Sequence, residues 1–151
     1  MSCLRNFVLV ILCPALSLAA FGDPCDVVTS SDLAGSDDQV INVTFPKECL
    51  FGAVNWNYPK GSLLLTHAEA AKNFKLCIEE GWTVEISRVQ EVKNGHYKTL
   101  PLPTKEKPTC TDSSNGEAAL LVSAPEGQRY MTMFNYRIVL QSKGGNKHLP
   151  H

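Results

Sequence analysis

The sequence predicts an all-β protein, organised as a sandwich or a barrel. Short segments that alternate apolar and polar residues recur along the chain, and turn residues separate them at intervals of roughly eight to twelve positions. One segment alone carries a helix signal. We therefore expect about eight strands and one short helix in a single domain.

The first 22 residues predict a secretory signal peptide. Arg5 supplies a positive charge, an apolar run of a dozen residues follows, and small residues come next, at Ala19, Ala20 and Gly22. The run is too short to cross a bilayer core of about 30 Å, and no other run reaches that length. We expect cleavage after Gly22 and a secreted, extracellular product without membrane insertion.

Cleavage at this point leaves 129 residues, which predict one domain over residues 23–141 and a flexible tail over residues 142–151. The product keeps 13 basic and 15 acidic residues, which gives a net charge of −2. Because the two signs are interspersed, the charge pattern gives no reason to expect nucleic acid or an anionic membrane as a partner.

Four cysteines remain in this product, namely Cys25, Cys49, Cys77 and Cys110. An even number in a secreted chain indicates two disulfides, and the residues alone leave three pairings open. In the sequential pairing the bridges close loops of 24 and 33 residues, and each stabilises the fold by about 3–4 kcal/mol. A metal site is disfavoured, because no two cysteines have the spacing of zinc ligands and the four histidines are scattered.

Residues 23–38 are polar and rich in turn residues, which predicts an irregular lead-in. The next segment, QVINVTF, alternates as a strand does. It contains the one N-glycosylation sequon of the chain, Asn42-Val43-Thr44. Asn42 and Thr44 lie on the polar face of this strand, so we expect a glycan on Asn42.

The segment FGAVNWNYPKGSLLLTH, residues 51–67, predicts a hairpin of two antiparallel strands joined by its Pro-Lys-Gly turn. Its aromatic residues have two interpretations. In one, Tyr58 and Lys60 present an aromatic and cationic tip to a protein partner. In the other, which is favoured, Trp56 caps the core and Tyr58 packs beside the turn.

Thr66 and Glu69 form a capping-box pattern followed by alanines, so the segment THAEAAKNF predicts the short helix, with His67 on its surface. A strand FKLCI follows, and WTVEISRV, residues 82–89, alternates as the next strand.

Asn94-Gly95 predicts a tight hairpin turn. Residues 101–109 are rich in proline and predict an extended surface connection, which is a second candidate contact site. EAALLVSA predicts one further strand and YMTMFNYRIVLQ the longest strand of the chain.

The sequence contains no nucleophile elbow, no HExxH pattern, no P-loop and no G-x-G-x-x-G pattern. His96 is expected to face solvent. Asp37 and Asp38, with Asp112 or Glu117, have the oxygens that Ca²⁺ needs, but scattered loop acids are usually solvated. We expect no catalytic residue, no metal and no cofactor, and therefore a protein that is not an enzyme.

Three other functions remain open at this point. The chain is compatible with a carrier of a small apolar ligand inside a β-barrel, which predicts a large internal cavity. It is compatible with a hydrolase without a recognisable motif, which predicts a cluster of Ser, His and an acid. It is also compatible with a structural component of a matrix or of a fluid such as venom or semen.

The stretch GAVNWNYPKGSLLL is similar to a motif near the start of meteorin and meteorin-like proteins. Cysteines before the motif correspond to Cys25 and Cys49, and a later pair with about the same separation corresponds to Cys77 and Cys110. The strand FNYRIVL resembles the last strand of that family's N-terminal domain. The resemblance ends near Gln141, and the netrin-like second domain of meteorins has no counterpart in the sequence.

The resemblance implies a CUB-like antiparallel β-sandwich of jelly-roll type, with the sequential disulfides Cys25–Cys49 and Cys77–Cys110. It implies a secreted, non-catalytic protein that binds an extracellular or cell-surface protein, as a signal or as a modulator of one. Such modules bind through surface loops on a rigid frame, so we expect the contacts at the turn that contains Tyr58 and Lys60.

Overall fold

The computed structural model describes residues 22–142, apart from residues 71 and 84. Apart from Gly22 and Ser142, the predicted signal peptide and tail lie outside these residues. No described segment forms a helix that is long and apolar enough to cross a membrane. The described part of the chain forms ten strands, which are β1 Val27–Ser30, β2 Val40–Thr44, β3 Phe51–Asn57, β4 Ser62–Ala68, β5 Asn73–Thr83, β6 Arg88–Lys93, β7 His96–Leu100, β8 Thr109–Asp112, β9 Glu117–Ser123 and β10 Met131–Gln141.

The strands form two five-stranded sheets, and the all-β prediction is confirmed. Sheet A has the order β1-β3-β10-β5-β8, and sheet B has the order β2-β4-β9-β6-β7. Among the described strands, β6 and β7 are consecutive and paired, whereas every other connection leads into the opposite sheet. Both sheets have open edges, so the architecture is that of a sandwich and not of a closed barrel.

One hydrophobic core lies between the two sheets, because alternate residues of the central strands point inward. Trp56 is fully buried in it, as the sequence predicted. Most of the core consists of large apolar residues from both sheets, among them Val54, Trp56, Phe134, Tyr136 and Ile138 of sheet A and Leu63, Leu65, Leu120 and Val122 of sheet B.

Two predictions about the N-terminal half, the irregular lead-in and the antiparallel sandwich, were wrong in part. The lead-in over residues 23–38 is not wholly irregular, because it contains β1, which pairs in parallel with β3. Strand β2 likewise pairs in parallel with β4, so the sandwich is antiparallel in its interior and parallel at one side of each sheet. Parallel pairing needs a partner that is distant in sequence, which local alternation does not reveal.

The predicted hairpin over residues 51–67 was also wrong. Its two strands exist, but β3 belongs to sheet A and β4 to sheet B, so the turn between them carries the chain across the core. A Pro-Lys-Gly turn permits a reversal of direction, but it does not decide whether the two strands share a sheet. Pairing of β3 with β10 and of β4 with β9 decides it.

No helix forms in the described residues around the predicted capping box. Thr66 and His67 belong to β4, where they pair with Ala119 and Ala118 of β9. The Thr66 hydroxyl lies 3.1 Å from that of Thr44 on the neighbouring strand, and it therefore does not cap a helix. Pairing on both sides of β4 outweighs the local helix signal, which covers two turns at most.

The predicted strand over residues 82–89 is divided. β5 extends to Thr83, β6 begins at Arg88, and the chain passes from sheet A to sheet B between them. Glu85 is held at this crossing, since its carbonyl accepts a hydrogen bond of 2.9 Å from the Thr132 hydroxyl. The predicted facing of Trp82 and Val84 lies outside the described side chains.

The hairpin at Asn94-Gly95 is confirmed, with positive φ values of 50° and 73° that suit a two-residue turn. The two C-terminal strands are confirmed as β9 and β10. β10 and β5 are the longest strands described, with 11 residues each.

Two disulfides join Cys25 to Cys49 and Cys77 to Cys110, which is the pairing that the resemblance implies. The first bridge ties the start of the domain to the segment before β3. The second joins β5 to the edge strand β8, where Cys77 and Cys110 are direct neighbours in the register. Such bridges form in oxidising compartments, among them the extracellular space.

Candidate functional site

Three connections meet at one end of the sandwich, which we call the loop end: residues 31–39, 58–61 and 124–130. Backbone hydrogen bonds join them to one another, for example from the N–H of Ala124 to the carbonyl of Gly61 at 2.8 Å. A groove of about 770 Å³ opens between them. Its floor is the outer surface of sheet B, formed there by Val40, Ser62, Leu121 and Ser123.

Ser31 anchors the turn at residues 58–61 to the core. Its Oγ accepts hydrogen bonds from the Trp56 indole N–H, at 2.8 Å, and from the Lys60 backbone N–H, at 3.0 Å. Its own hydroxyl donates to the Lys60 carbonyl at 2.9 Å. Ser31 is buried, and this network satisfies its hydroxyl completely, so the turn is rigidly attached to the buried indole.

Lys60 was predicted as a cationic contact residue, but the structure gives its side chain a different role. The ammonium donates to the carbonyls of Gly35, at 2.6 Å, and Leu33, at 3.3 Å, and pairs with Asp37 at 3.4 Å. Its side chain is only 27% exposed. Lys60 therefore positions the loop over residues 33–37 and does not offer a free charge to a partner.

Tyr58 does present an aromatic surface, as one interpretation predicted, and it has a partner that the sequence did not reveal. Its backbone N–H donates to the carbonyl of Tyr130 at 2.8 Å, and the two rings meet edge to face with centroids 6.4 Å apart. Tyr58 is 43% exposed and Tyr130 is 87% exposed. Tyr130 immediately precedes β10, and nothing in its local pattern pointed to Tyr58.

Tyr58 also has a φ of 48°, which is unfavourable for a residue with a side chain. Non-glycine residues in this region cost on the order of 1–3 kcal/mol and cluster at functional sites, where the surrounding structure enforces them. Here the hydrogen bond to Tyr130 and the Ser31 network supply that constraint. The backbone that carries the two aromatic side chains is thus held in place.

Close contacts with the backbone explain why two positions of the GAVNWNYPKG motif are glycine. A Cβ on Gly61, whose φ is 78°, would collide with the backbone of Gln39. A Cβ on Gly52 would collide with the carbonyl of Cys25 and the ring of Tyr136. With Val54 and Trp56 in the core, most of this motif maintains the fold, and Tyr58 is its exposed residue.

Charges of both signs surround the groove. Arg129 pairs with Glu85, and Asp37 is used by Lys60. No group of three or more His, Cys, Asp or Glu residues is placed to hold a metal ion in the described part of the chain. Asp112, which the sequence offered as a calcium ligand, pairs instead with Lys75 of the neighbouring strand at 3.7 Å.

His67, expected on a helix surface, is buried on the inward face of β4. Its Nδ1 lies 3.0 Å from the Phe45 carbonyl and acts there as the donor, and its ring meets Phe74 edge to face at 5.0 Å. Its Nε2 is buried without a hydrogen-bond partner among the described residues. His96 is exposed in β7. The structure therefore places one predicted surface histidine in the core and the other in solvent.

The second predicted contact segment, residues 101–109, connects β7 to β8. It is largely exposed, and the Thr109 hydroxyl fixes it by donating to the Pro101 carbonyl at 2.5 Å. Two strands of each sheet, β10 and β5 in sheet A and β9 and β6 in sheet B, lie between this edge and the strands next to the turn at residues 58–61. The structure does not bring the two predicted contact segments together.

Tyr136 is the buried group whose ionisation the fold alters most clearly. Its hydroxyl donates to the Cys25 carbonyl at 2.6 Å, and its ring stacks on Phe45. Burial, together with the negative charges of Asp26 and Asp23, raises the pKa of Tyr136 above its ordinary value of 10.0.

Comparison with known proteins identifies no family. No family model matches the chain, and no curated protein matches it either. Among solved structures, the CUB1-EGF-CUB2 domains of rat MASP-1 are similar to it at 10% sequence identity and a TM-score of 0.40. The match covers 70% of this chain and 44% of that chain, so it spans less than half of the MASP-1 structure.

Proposed function

We propose that this chain is a secreted, non-catalytic module that binds an extracellular or cell-surface protein, and that Tyr58 and Tyr130 form the centre of its contact surface. The observation that carries the proposal is an exposed aromatic pair on a rigid base. Tyrosines are enriched among the residues that dominate protein interfaces, because they bring a large contact area at a small entropic cost.

The surroundings of the pair support this assignment. The strained backbone at Tyr58 is tied to the core through Ser31 and Trp56, and Lys60 holds the neighbouring loop in place. A partner that covers the two rings therefore does not have to order the site first. Preorganisation of this kind raises affinity by reducing the entropy lost on binding.

We further infer that the domain is CUB-like and of the meteorin type. The support is the GAVNWNYPKG stretch, the two disulfides and the two-sheet architecture. The rival interpretation as a ligand-carrying barrel is disfavoured by the open sheet edges and by the space between the sheets, which large side chains such as Phe45, Phe74 and Phe134 occupy.

The test is a binding titration of the fluorescently labelled, secreted protein on a panel of cultured animal cells. We expect saturable binding to some of them that brief trypsin treatment of the cells abolishes, since the partner is a protein. Tyr58→Ser and Tyr130→Ser together should weaken it about 30-fold, the effect of a hot spot of about 2 kcal/mol.

Tyr97→Ser is the matched control, because Tyr97 is 61% exposed on β7 and lies far from the loop end in the strand order. It should leave binding unchanged, and near-ultraviolet circular dichroism should show that both variants are folded. If binding is not saturable, or if the Tyr97 variant loses as much affinity as the double variant, the proposal is wrong. A purely structural component of a matrix or fluid predicts the first of these results.

A further inference from the structure

The outer face of sheet B has an unusual composition. Its charged residues stand at two ends, Arg88 at the start of β6 and Glu117 at the start of β9. The outward positions between them in the described strands carry hydroxyl, amide and apolar side chains without a charge, namely Val40, Asn42, Thr44, Ser62, Leu64, Thr66, Ala119, Leu121, Gln90, Val92, Tyr97 and Thr99.

The register places the sequon on this face. Asn42 lies beside Leu64, Leu64 beside Leu121, and Leu121 beside Gln90. Adjacent strands are about 4.8 Å apart, so Leu121 is roughly 10 Å from the backbone of Asn42. Both leucines remain partly exposed although they are central in the sheet.

The surface beside Asn42 is recessed on both sides. The 770 Å³ groove begins at Val40 and Leu121, and a second groove of about 400 Å³ is lined by Thr44, Thr66 and Ala119. Asn42 stands between these two grooves along β2. Its side chain and that of Thr44 are both exposed, so the folded domain accommodates a modified asparagine.

We propose that Asn42 carries an N-linked glycan and that its inner N-acetylglucosamine residues lie across the outer face of sheet B, over Leu64 and Leu121. The inference is independent of the partner proposed above. The occupant of this uncharged surface is then a group that the chain itself provides, one strand away from Leu64 and two strands away from Leu121.

The chemistry of the sugar fits this surface. An N-acetylglucosamine ring has C–H groups on both faces and an acetyl methyl, which pack on leucine and alanine side chains, and it has hydroxyls for serine, threonine and glutamine. The face offers both kinds of partner side by side, for example Leu64 and Leu121 in the same row as Gln90. A glycan there also covers the open edge of β2, and such edges otherwise template pairing with a second chain.

The experiment uses the full secreted chain from eukaryotic cells, with isotope-labelled leucine methyl groups. Peptide mapping should find the glycan on Asn42. After enzymatic trimming to a single N-acetylglucosamine, nuclear Overhauser contacts should join the sugar to the methyls of Leu64 and Leu121. Asn42→Gln should self-associate about tenfold more strongly by sedimentation, because the face and the edge are then uncovered.

A second variant separates coverage from a general solubilising effect of sugar. In Asn42→Gln combined with Lys75→Thr, the sequence Asn73-Phe74 followed by threonine becomes an acceptor on the outer face of sheet A, where Asn73 is exposed, Phe74 is buried and position 75 is partly exposed. This relocated glycan should leave self-association as strong as in Asn42→Gln.

Three results overturn the inference. The first is an unmodified Asn42 in the secreted protein. The second is a glycan without contacts to Leu64 and Leu121. The third is a return to the monomer when the glycan is relocated to sheet A, because solubility alone then explains its effect.

Discussion

The outer faces of the two sheets meet water in different ways. On sheet A, oppositely charged side chains pair across neighbouring strands, Arg137 with Glu79 at 2.8 Å and Lys75 with Asp112 at 3.7 Å. On sheet B, hydroxyls take this place, as in the pair Ser62 and Ser123 at 3.2 Å. The described strands of sheet A therefore carry charged pairs on their outer face, whereas those of sheet B carry neutral hydroxyl contacts.

Removing the disulfide within sheet A should have the largest effect on stability. The described strands of sheet B contain no such bridge. Replacing Cys77 and Cys110 by serine frees a loop of 33 residues and should lower the free energy of unfolding by about 3–4 kcal/mol, measured by urea titration. A loss below about 1 kcal/mol would show that the pairing of β8 with β5 holds the edge without the bridge.

A lysine introduced at the centre of each face tests the charge difference directly. Leu121→Lys should destabilise by about 1–2 kcal/mol, because apolar area in sheet B is lost and no acid lies next to this position. Asn135→Lys, placed beside Glu79 on sheet A, should change stability by less than about 0.5 kcal/mol. Equal losses in thermal or urea unfolding would contradict the comparison.

The free energy of unfolding at alkaline pH should depend on Tyr136, a residue of sheet A. Its pKa is raised in the folded state, so the folded protein holds the phenolic proton more strongly than the unfolded chain. The resulting stabilisation is fully present below pH 10.0 and is lost as the pH rises through the folded value.

Tyr136→Phe should remove this pH dependence and cost about 1 kcal/mol at pH 7, since the Cys25 carbonyl loses its donor. The measurement is the difference in unfolding free energy between wild type and variant from pH 8 to pH 11. It should shrink as the pH rises, and a constant difference would show that Tyr136 does not titrate in this range.

The smallest effects should differ in their response to salt. Glu79→Gln should cost at most about 0.5 kcal/mol at low ionic strength and nothing in 1 M NaCl, because exposed ion pairs are screened. Thr66→Val leaves the sequon intact and should cost about 0.5–1 kcal/mol through the Thr44 hydroxyl contact, at either salt concentration. Salt-sensitive loss in the threonine variant would remove this distinction between the faces.

The sequence predicted the strands themselves well, because each half-buried strand shows its alternation locally. β9 and β10 are examples, and the Asn94-Gly95 hairpin was predicted from its turn chemistry. Prediction from sequence failed where the pairing partner of a strand determines its structure. His67 appeared to lie in a helix because nothing local announces the pairing of β4 with β2 and β9.

The candidate site, too, could be predicted from the sequence only in part. An exposed Tyr58 was one of two interpretations of the motif, and not the favoured one; Tyr130 lies 72 positions later and contacts Tyr58 only through the fold. Lys60 was predicted as a contact residue from its charge, but the sequence did not show that its ammonium is bound within the chain. The carbonyls of Leu33 and Gly35 that bind its ammonium belong to a loop whose position sequence patterns do not encode.

The order of the strands has a consequence for how the domain is made. The last strand, β10, lies in the middle of sheet A, between β3 and β5. Until residue 141 has left the ribosome, the edges of β3 and β5 that pair with β10 are exposed. Most contacts of the domain form between segments that are distant in sequence. Such topologies fold slowly and are open to wrong pairing meanwhile. The domain therefore closes only after β10 has been synthesised, and truncation before β10 should leave a chain that does not fold.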